Sequence, residues 1–330
     1  MYGEIAFTTQ EWVQDGVHCL IKEVPGATGA NLLAPEAKEC LQDKPEPDHY
    51  DPAEAPIDQW EFTVDNDGWA VPVSGYCLSA AAGEVTPAAI YIHGGGWRMG
   101  DRKSADAPMR LLAQYSGCRI FSIEYRLAPE YMYPTATDDC WKVVRYICNH
   151  ADELKIDPKK ITVFGDSAGG NMACVCAHRD RNQRRNLIAQ QILIYPVLTF
   201  VEPEDQDYHF SLLDYRYDDS EKELIEGAIL ALSGMKPDLY LRSGDDPASP
   251  DVSPLLEKNF AGLPKTRVIS AEYDFLTQQG RLYAHKLSRA GVPVSFTLYR
   301  GTVHGFLDRL GRMPQTTELI REIAEAIRSI

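Results

Sequence analysis

The segment Ile161-Thr-Val-Phe-Gly165-Asp166-Ser167-Ala168-Gly169-Gly170 constrains the fold more than any other part of the chain. Four strand-forming residues run straight into Gly-x-Ser-x-Gly, and Met172, Val175 and Ala177 continue on a helical spacing. A serine on so sharp a strand-to-helix turn projects its hydroxyl above the sheet edge, where a substrate can reach it. Glycine at 165 and 169 lets the backbone turn tightly and lets helix and strand approach closely. The helix N-terminus behind Ser167 offers free N–H groups to a developing negative charge. Ser167 is therefore expected to be a nucleophile.

A second motif supplies the complement of that nucleophile. Ala88–Ile92 reads as a buried strand, and it ends in His93-Gly94-Gly95-Gly96-Trp97. Three successive glycines remove every β-carbon from one stretch of loop, so that backbone N–H groups can converge on a cavity. An oxyanion hole needs such donors, held about 3 Å from the tetrahedral oxygen. Alone, the run reads equally well as a flexible glycine turn. Paired with the downstream elbow, it points to the N–H groups of Gly94 and Gly95, with that of Ala168 as the third donor. His93 is expected to brace the loop rather than act as the base.

An acid and a histidine must follow the serine in this arrangement. Lys265–Asp274 is a strand pattern ending in a carboxylate, and Gln278–Arg289 follows on a helical period. The next strand pattern, Val294–Tyr299, leads into Arg300-Gly-Thr-Val-His304-Gly-Phe306. Asp274 and His304 thus stand just past the ends of successive strands, where the loops of such sheets gather. Asp274 is expected to hold the His304 ring in its working tautomer, and His304 to shuttle the Ser167 proton. Glu272 and Asp308 compete for the acid role; the first falls inside the strand and the second lies beyond the histidine. His18, His49, His150, His178, His209 and His285 sit in helical or polar contexts and are expected to be solvated.

With these motifs in place, the chain resembles the hormone-sensitive lipase family of α/β-hydrolases, in its bacterial carboxylesterase branch. Tyr125-Arg-Leu-Ala-Pro-Glu130, Pro134, Asp138-Asp139, Ser253-Pro254 and His304-Gly-Phe306 carry the likeness alongside the two glycine motifs. Two positions depart from it: Phe275-Leu276 follows Asp274 where the family usually has Pro-Leu, and Tyr131 stands where histidine is frequent. The resemblance implies an α/β-hydrolase fold, with a mostly parallel central sheet flanked by helices and a cap. It implies hydrolysis of carboxylic esters through an acyl-serine intermediate, with no metal or organic cofactor. The cap is expected from an N-terminal segment, 1–59, and from an insertion at about 198–250 within a catalytic domain spanning 60–330. The alternative for the acidic, proline-rich N-terminus is a loosely ordered tail. Tyr208, Tyr215, Tyr217 and Tyr240 fall in the insertion, and either line a pocket or pack the cap.

Bulk properties narrow the partners. A net charge of −15 argues against nucleic acid and anionic membrane and leaves a small-molecule ester as the expected partner. No apolar run approaches the ~20 residues of a membrane helix. Met1–Phe7 lacks the basic and apolar regions of a signal peptide. The eight cysteines are scattered without metal-ligand spacing and fit a reduced cytoplasm. Self-association into a homo-oligomer is left open. A turn at Asn66-Asp67-Gly68 is expected to close a hairpin between Trp60 and Leu78. Trp97, directly after the glycines, is expected to narrow the acyl site to acetyl through butyryl groups. An amidase or formamidase on the same triad is the alternative enzyme. A non-catalytic binding protein, like the gibberellin receptors that resemble this family but lack the histidine, is the other class; the presence of His304 argues against it.

Overall fold

A computed structural model describes residues 7–24, 52–205, 208 and 210–330. Ten strands among them form one sheet: β1 (Thr8–Gln14), β2 (Val17–Glu23), β3 (Ile57–Asn66), β4 (Trp69–Leu78), β5 (Thr86–Ile92), β6 (Arg119–Ile123), β7 (Ile156–Asp166), β8 (Gln190–Ile194), β9 (Lys265–Tyr273) and β10 (Val294–Val303). Their spatial order is β1-β2-β10-β9-β8-β7-β5-β6-β4-β3. Pairing is parallel from β2 through β6, and antiparallel in the β1–β2 and β3–β4 hairpins and between β4 and β6.

The central strands are apolar on both faces because helices cover both. Residues 88–92, 161–166 and 190–194 are buried without a break, as strands enclosed by helices must be. Helices α1 (Asp106–Ser116) and α6 (Pro314–Arg328) contribute to the core on one face. Helices α2 (Thr135–Asn149), α3 (Ala168–Asn182) and α5 (Thr277–Arg289) contribute to the core on the other. Between β8 and β9 lies α4 (Lys222–Leu230), flanked by short 3-10 turns.

The expected hairpin is present. Asn66 pairs with Trp69 across Asp67 (φ 54°) and Gly68 (φ 87°), two left-handed residues that make the tight turn whose twist suits antiparallel strands. The N-terminal segment takes a different place from the one expected of a cap. Thr8–Glu23 adds β1 and β2 to the sheet edge, with β2 parallel to β10 from His18 opposite Ser295 to Lys22 opposite Tyr299. The expectation of a cap over 1–59 otherwise falls largely on residues outside those described.

The strand register brings the site together. Asp166 pairs with Ile194, and Ser167 leaves β7 with its N–H on the Ile194 carbonyl at 2.9 Å. In β10 an irregularity between Tyr299 and Val303, at Gly301 (φ 69°), restores a pairing of Val303 with Tyr273. The residues that follow this pair are His304 and Asp274. Two carboxyl ends of neighbouring parallel strands thus deliver acid and imidazole side by side.

Candidate active site

Local backbone physics fixes Ser167 first. It sits at φ 55°, ψ −118°, a sparsely populated region that costs an L-residue about 1–3 kcal/mol and persists only when its surroundings impose it. Two glycines are part of that imposition. A Cβ on Gly165 would stand 2.5 Å from both Gly169 O and Ile92 O, and one on Gly169 would overlap Ile92 O and His93 O. Any larger residue would push α3 off β5 and β7. The Ser167 carbonyl accepts N–H groups from Asn171 at 3.1 Å and Val197 at 3.2 Å, and Asn171 Nδ2 donates to Val197 O and Val252 O.

The three residues expected to work together are together. His304 Nε2 lies 2.9 Å from Ser167 Oγ, and His304 Nδ1 lies 2.7 Å from Asp274 Oδ2. Asp274 is 1 % exposed, and its other oxygen accepts the Leu276 N–H at 2.9 Å. The geometry sets Nδ1–H as donor to the carboxylate and leaves Nε2 to accept from the serine hydroxyl. Burial opposes the imidazolium. The charge and hydrogen bond of Asp274 favour it, as do the charges of Asp166 and Asp308, and the net pKa of His304 is raised above the ordinary value.

The rivals go elsewhere. Glu272 accepts the Gly301 N–H at 2.9 Å, and burial raises its pKa. The charge of Asp308 is one of several influences that raise the His304 pKa. His93 stacks on Tyr125 with ring centres 4.2 Å apart, and its Nδ1 lies 2.8 Å from Gly94 O. Burial pushes it down to about 4, so it braces the loop as a neutral ring. His178 departs from the expectation of a solvated residue: it is 2 % exposed, and its Nε2 lies 2.9 Å from Tyr283 Oη. His49 and His209 lie outside the described residues.

One expected oxyanion donor is corrected. The Gly94 N–H donates to Asp166 Oδ1 at 2.8 Å, so it is already committed to a buried carboxylate. That same oxygen accepts the Tyr91 hydroxyl at 2.7 Å. The Gly95, Gly96 and Ala168 N–H groups have no acceptor among the described residues. Gly95 (φ 106°) and Gly96 (φ 60°) occupy conformations that L side chains rarely adopt. The sequence signal was present in Asp166: an acid inside the elbow needs a buried donor, and the nearest glycine loop supplies it.

Trp97 is also placed differently. It is 1 % exposed and stacks on Tyr240 at 4.4 Å and against Phe200 at 5.3 Å, so it offers no wall to an open acyl pocket. Of the four tyrosines singled out, Tyr240 is buried in that stack, and Tyr215 donates its hydroxyl to Asp274 O at 3.1 Å. Tyr217 bonds to Glu226, and Tyr208 lines a cleft of about 370 Å³ beside Phe275 and Leu276. Tyr195 is a further residue of the site. Its ring meets that of His304 edge-on at 4.8 Å, and its hydroxyl accepts the Leu307 N–H, bracing the histidine loop. In the Tyr125–Asp139 stretch, Arg126 grips Asp139 through two nitrogens at 2.8 and 2.6 Å.

Among the described residues, no group of three or more His, Cys, Asp or Glu is placed to hold a metal ion. No helix among them is long and apolar enough to cross a membrane.

Known proteins bear the same frame. Residues 89–308 match the family described as "alpha/beta hydrolase fold". An arylesterase of Saccharolobus solfataricus is 34 % identical over 239 residues, covering 72 % of this chain and 74 % of that protein. Carboxylesterase NlhH of Mycobacterium tuberculosis is 32 % identical over 266 residues, covering 78 % of each. The solved structure of a Pyrobaculum calidifontis esterase superposes with a TM-score of 0.71 at 32 % identity, covering 84 % of this chain and 87 % of that one. With a serine elbow, a glycine loop and an acid–histidine pair on the matching segment, the chain belongs to the α/β-hydrolase fold family, in its hormone-sensitive lipase-like branch.

Proposed function

We propose that this protein is a serine carboxylesterase that hydrolyses short-chain acyl esters through an acyl-serine intermediate. The observation that carries this reading is the line Ser167 Oγ–His304–Asp274, with distances of 2.9 and 2.7 Å, next to the unspent N–H groups of Gly95, Gly96 and Ala168. His304 Nε2 takes the hydroxyl proton as Ser167 Oγ attacks the ester carbonyl. The carbonyl oxygen gains the negative charge and draws on the backbone donors, and Asp274 stabilises the imidazolium. The C–O bond to the alcohol then breaks, and His304 returns its proton to that alcohol. Water, deprotonated by the same nitrogen, attacks the acyl-serine, releases the carboxylic acid and regenerates the hydroxyl.

The short acyl range is supported by the names of two relatives. They are an acetyl esterase of Salmonella paratyphi B, 33 % identical, and an ethyl acetate hydrolase of Pseudomonas putida, 31 % identical. The segment 198–250 is the cover of the site in this reading, docked by Tyr240 on Trp97 and Tyr215 on Asp274 O. The seven described cysteines are buried free thiols, which supports placing the enzyme in a reducing cytoplasm.

A panel of p-nitrophenyl esters from acetate to palmitate, with matching anilides, tests the proposal. The value of kcat/KM is expected to peak between acetate and butyrate, with anilides far slower. Best turnover of decanoate or longer esters would replace the short-chain reading with an open groove, and anilide turnover rivalling that of esters would make the enzyme an amidase.

A further inference from the structure

Two cavities outside the triad meet along β10. Phe296, Leu298 and Arg300 alternate along that strand and so share one face of the sheet. A slot of about 140 Å³ lies over Phe296 and Leu298, walled by Trp12 of β1 and by Val17, Cys19 and Ile21 of β2. A second cleft, of about 270 Å³, lies over Leu298 and Arg300 and is rimmed by Arg216 and Thr277. Leu298 and Arg281 line both, so the apolar slot opens into the arginine-bearing cleft.

The charges at the junction are unevenly matched. Arg300 has Glu23 at 3.7 Å, and the Glu272 charge acts on it as well. Arg281 lies over the Phe296 ring at 5.4 Å and makes no ion pair or hydrogen bond among the described residues. The Arg216 guanidinium makes none either, and Asp214 is the one further acid at this cleft. At the slot's far end, His285 has Asp15 at 3.6 Å. Arg281, at the mouth of the apolar slot, and Arg216, on the rim of the adjoining cleft, are thus two guanidiniums without a partner among the described residues, in a chain of net charge −15. Guanidinium forks match a carboxylate through two parallel hydrogen bonds.

We propose that this groove binds an anionic amphiphile, with a carboxylate held by Arg281 and Arg216 and a short apolar tail in the slot. A dry cavity of about 150 Å³ accommodates a benzene-sized group, which sets the tail at about six carbons. The carboxylic acid released by ester hydrolysis is a ligand of this class; that identification alone rests on the function proposed above. The groove shares no residue with the triad. Thr277 and Glu272 flank Asp274 in sequence, so an occupant sits behind the acid loop.

Isothermal titration of the full chain with hexanoate, hexan-1-ol and inorganic phosphate at constant ionic strength tests it. Hexanoate is expected to bind, with the alcohol and phosphate each weaker by about tenfold or more, since each lacks one half of the recognition. Arg281→Gln is expected to weaken hexanoate by about tenfold while leaving turnover of p-nitrophenyl acetate unchanged. Equal hexanoate affinity in Arg281→Gln, or phosphate binding as tightly as hexanoate, overturns the proposal. Turnover in the same samples reports separately on hydrolysis. A protein that cleaves esters but binds no hexanoate loses only the groove. One that binds hexanoate through Arg281 without cleaving esters keeps the groove and loses the assignment of a product.

Discussion

The floor of the site and its cover are held by different physics. The floor consists of the carboxyl ends of β5, β7, β9 and β10 with their turns. Its strands are buried, their register is fixed by parallel ladders, and its glycines sit where a β-carbon has no room. The proposed cover, residues 198–250, has among its described residues one nine-residue helix with only Ile225 and Ile229 of that helix buried, and it exposes Leu213 at 94 %. It docks through aromatic faces and single hydroxyls: Tyr240 on Trp97, Tyr215 on Asp274 O and Arg216 O under Tyr273. Atoms that must stay aligned to within tenths of an ångström are carried by the floor. The cover is free to set which substrates fit. Floor substitutions should therefore lower kcat, and cover substitutions should act mainly on KM and stability.

Removing the nucleophile is the largest test of that division. Ser167→Ala is expected to lower kcat by about a millionfold without unfolding the protein, because the hydroxyl makes a catalytic contact and no structural one beyond His304. Retention of a tenth of wild-type turnover, or failure of a serine-directed organophosphate to label residue 167, would sink the assignment. Next comes the acid. Asp274→Asn puts an N–H or a neutral oxygen against His304 Nδ1, and a loss of roughly four orders of magnitude in kcat is expected. Glu272→Gln, by contrast, should leave kcat within about a factor of ten, since its carboxylate serves the Gly301 N–H. Comparable losses in both variants would mean that the β9–β10 register, rather than one carboxylate, is what the chemistry needs.

The legibility of the sequence follows the same division. Ser167, Asp274 and His304 could be read because strand-end position and chain order constrain them jointly. Gly165 and Gly169 could be read because steric exclusion leaves no other residue. Gly94 misleads because three glycines in a row look alike until their acceptors are known; Asp166, far away in sequence, claims the first. Tyr195 escaped notice because a tyrosine after a buried strand reads as core, and its contact with His304 joins loops more than one hundred residues apart in the chain. Trp97 and the cover tyrosines were ambiguous because aromatic residues pack in several orientations of similar energy. The N-terminal hairpin was invisible as part of the sheet: β1 is exposed along its whole length and carries no alternating pattern.

A smaller effect separates two parts of the floor. In the proposed mechanism neutral His304 is the working base, and its raised pKa means that the imidazolium persists to higher pH. The acid limb of kcat/KM should therefore lie above the ordinary imidazole value of ~6.5, with activity falling as pH drops through it. Asp166 contributes to that elevation by charge, while its Oδ1 holds Gly94 and Tyr91. Asp166→Asn retains an acceptor oxygen but removes the charge, so the limb should move to lower pH while the plateau stays within about tenfold. An unchanged limb would show that Asp166 is already protonated, as the raising of its own pKa by burial would favour.

The smallest expected effect tests the cover itself. Tyr215→Phe deletes the hydroxyl that reaches Asp274 O at 3.1 Å and keeps the ring packed against Phe210. That carbonyl keeps the Thr277 N–H at 3.2 Å, and the Asp274 carboxylate keeps its anchor on the Leu276 N–H. The loss is one net hydrogen bond, about 0.5–1.5 kcal/mol of stability, which denaturant titration can resolve. Because the acid stays tied to its own loop, kcat should change by no more than about threefold, and any larger change should fall on KM. A drop in kcat of two orders of magnitude would mean that Tyr215 positions the acid. The border between floor and cover would then have to be redrawn to place that hydroxyl among the groups that align His304.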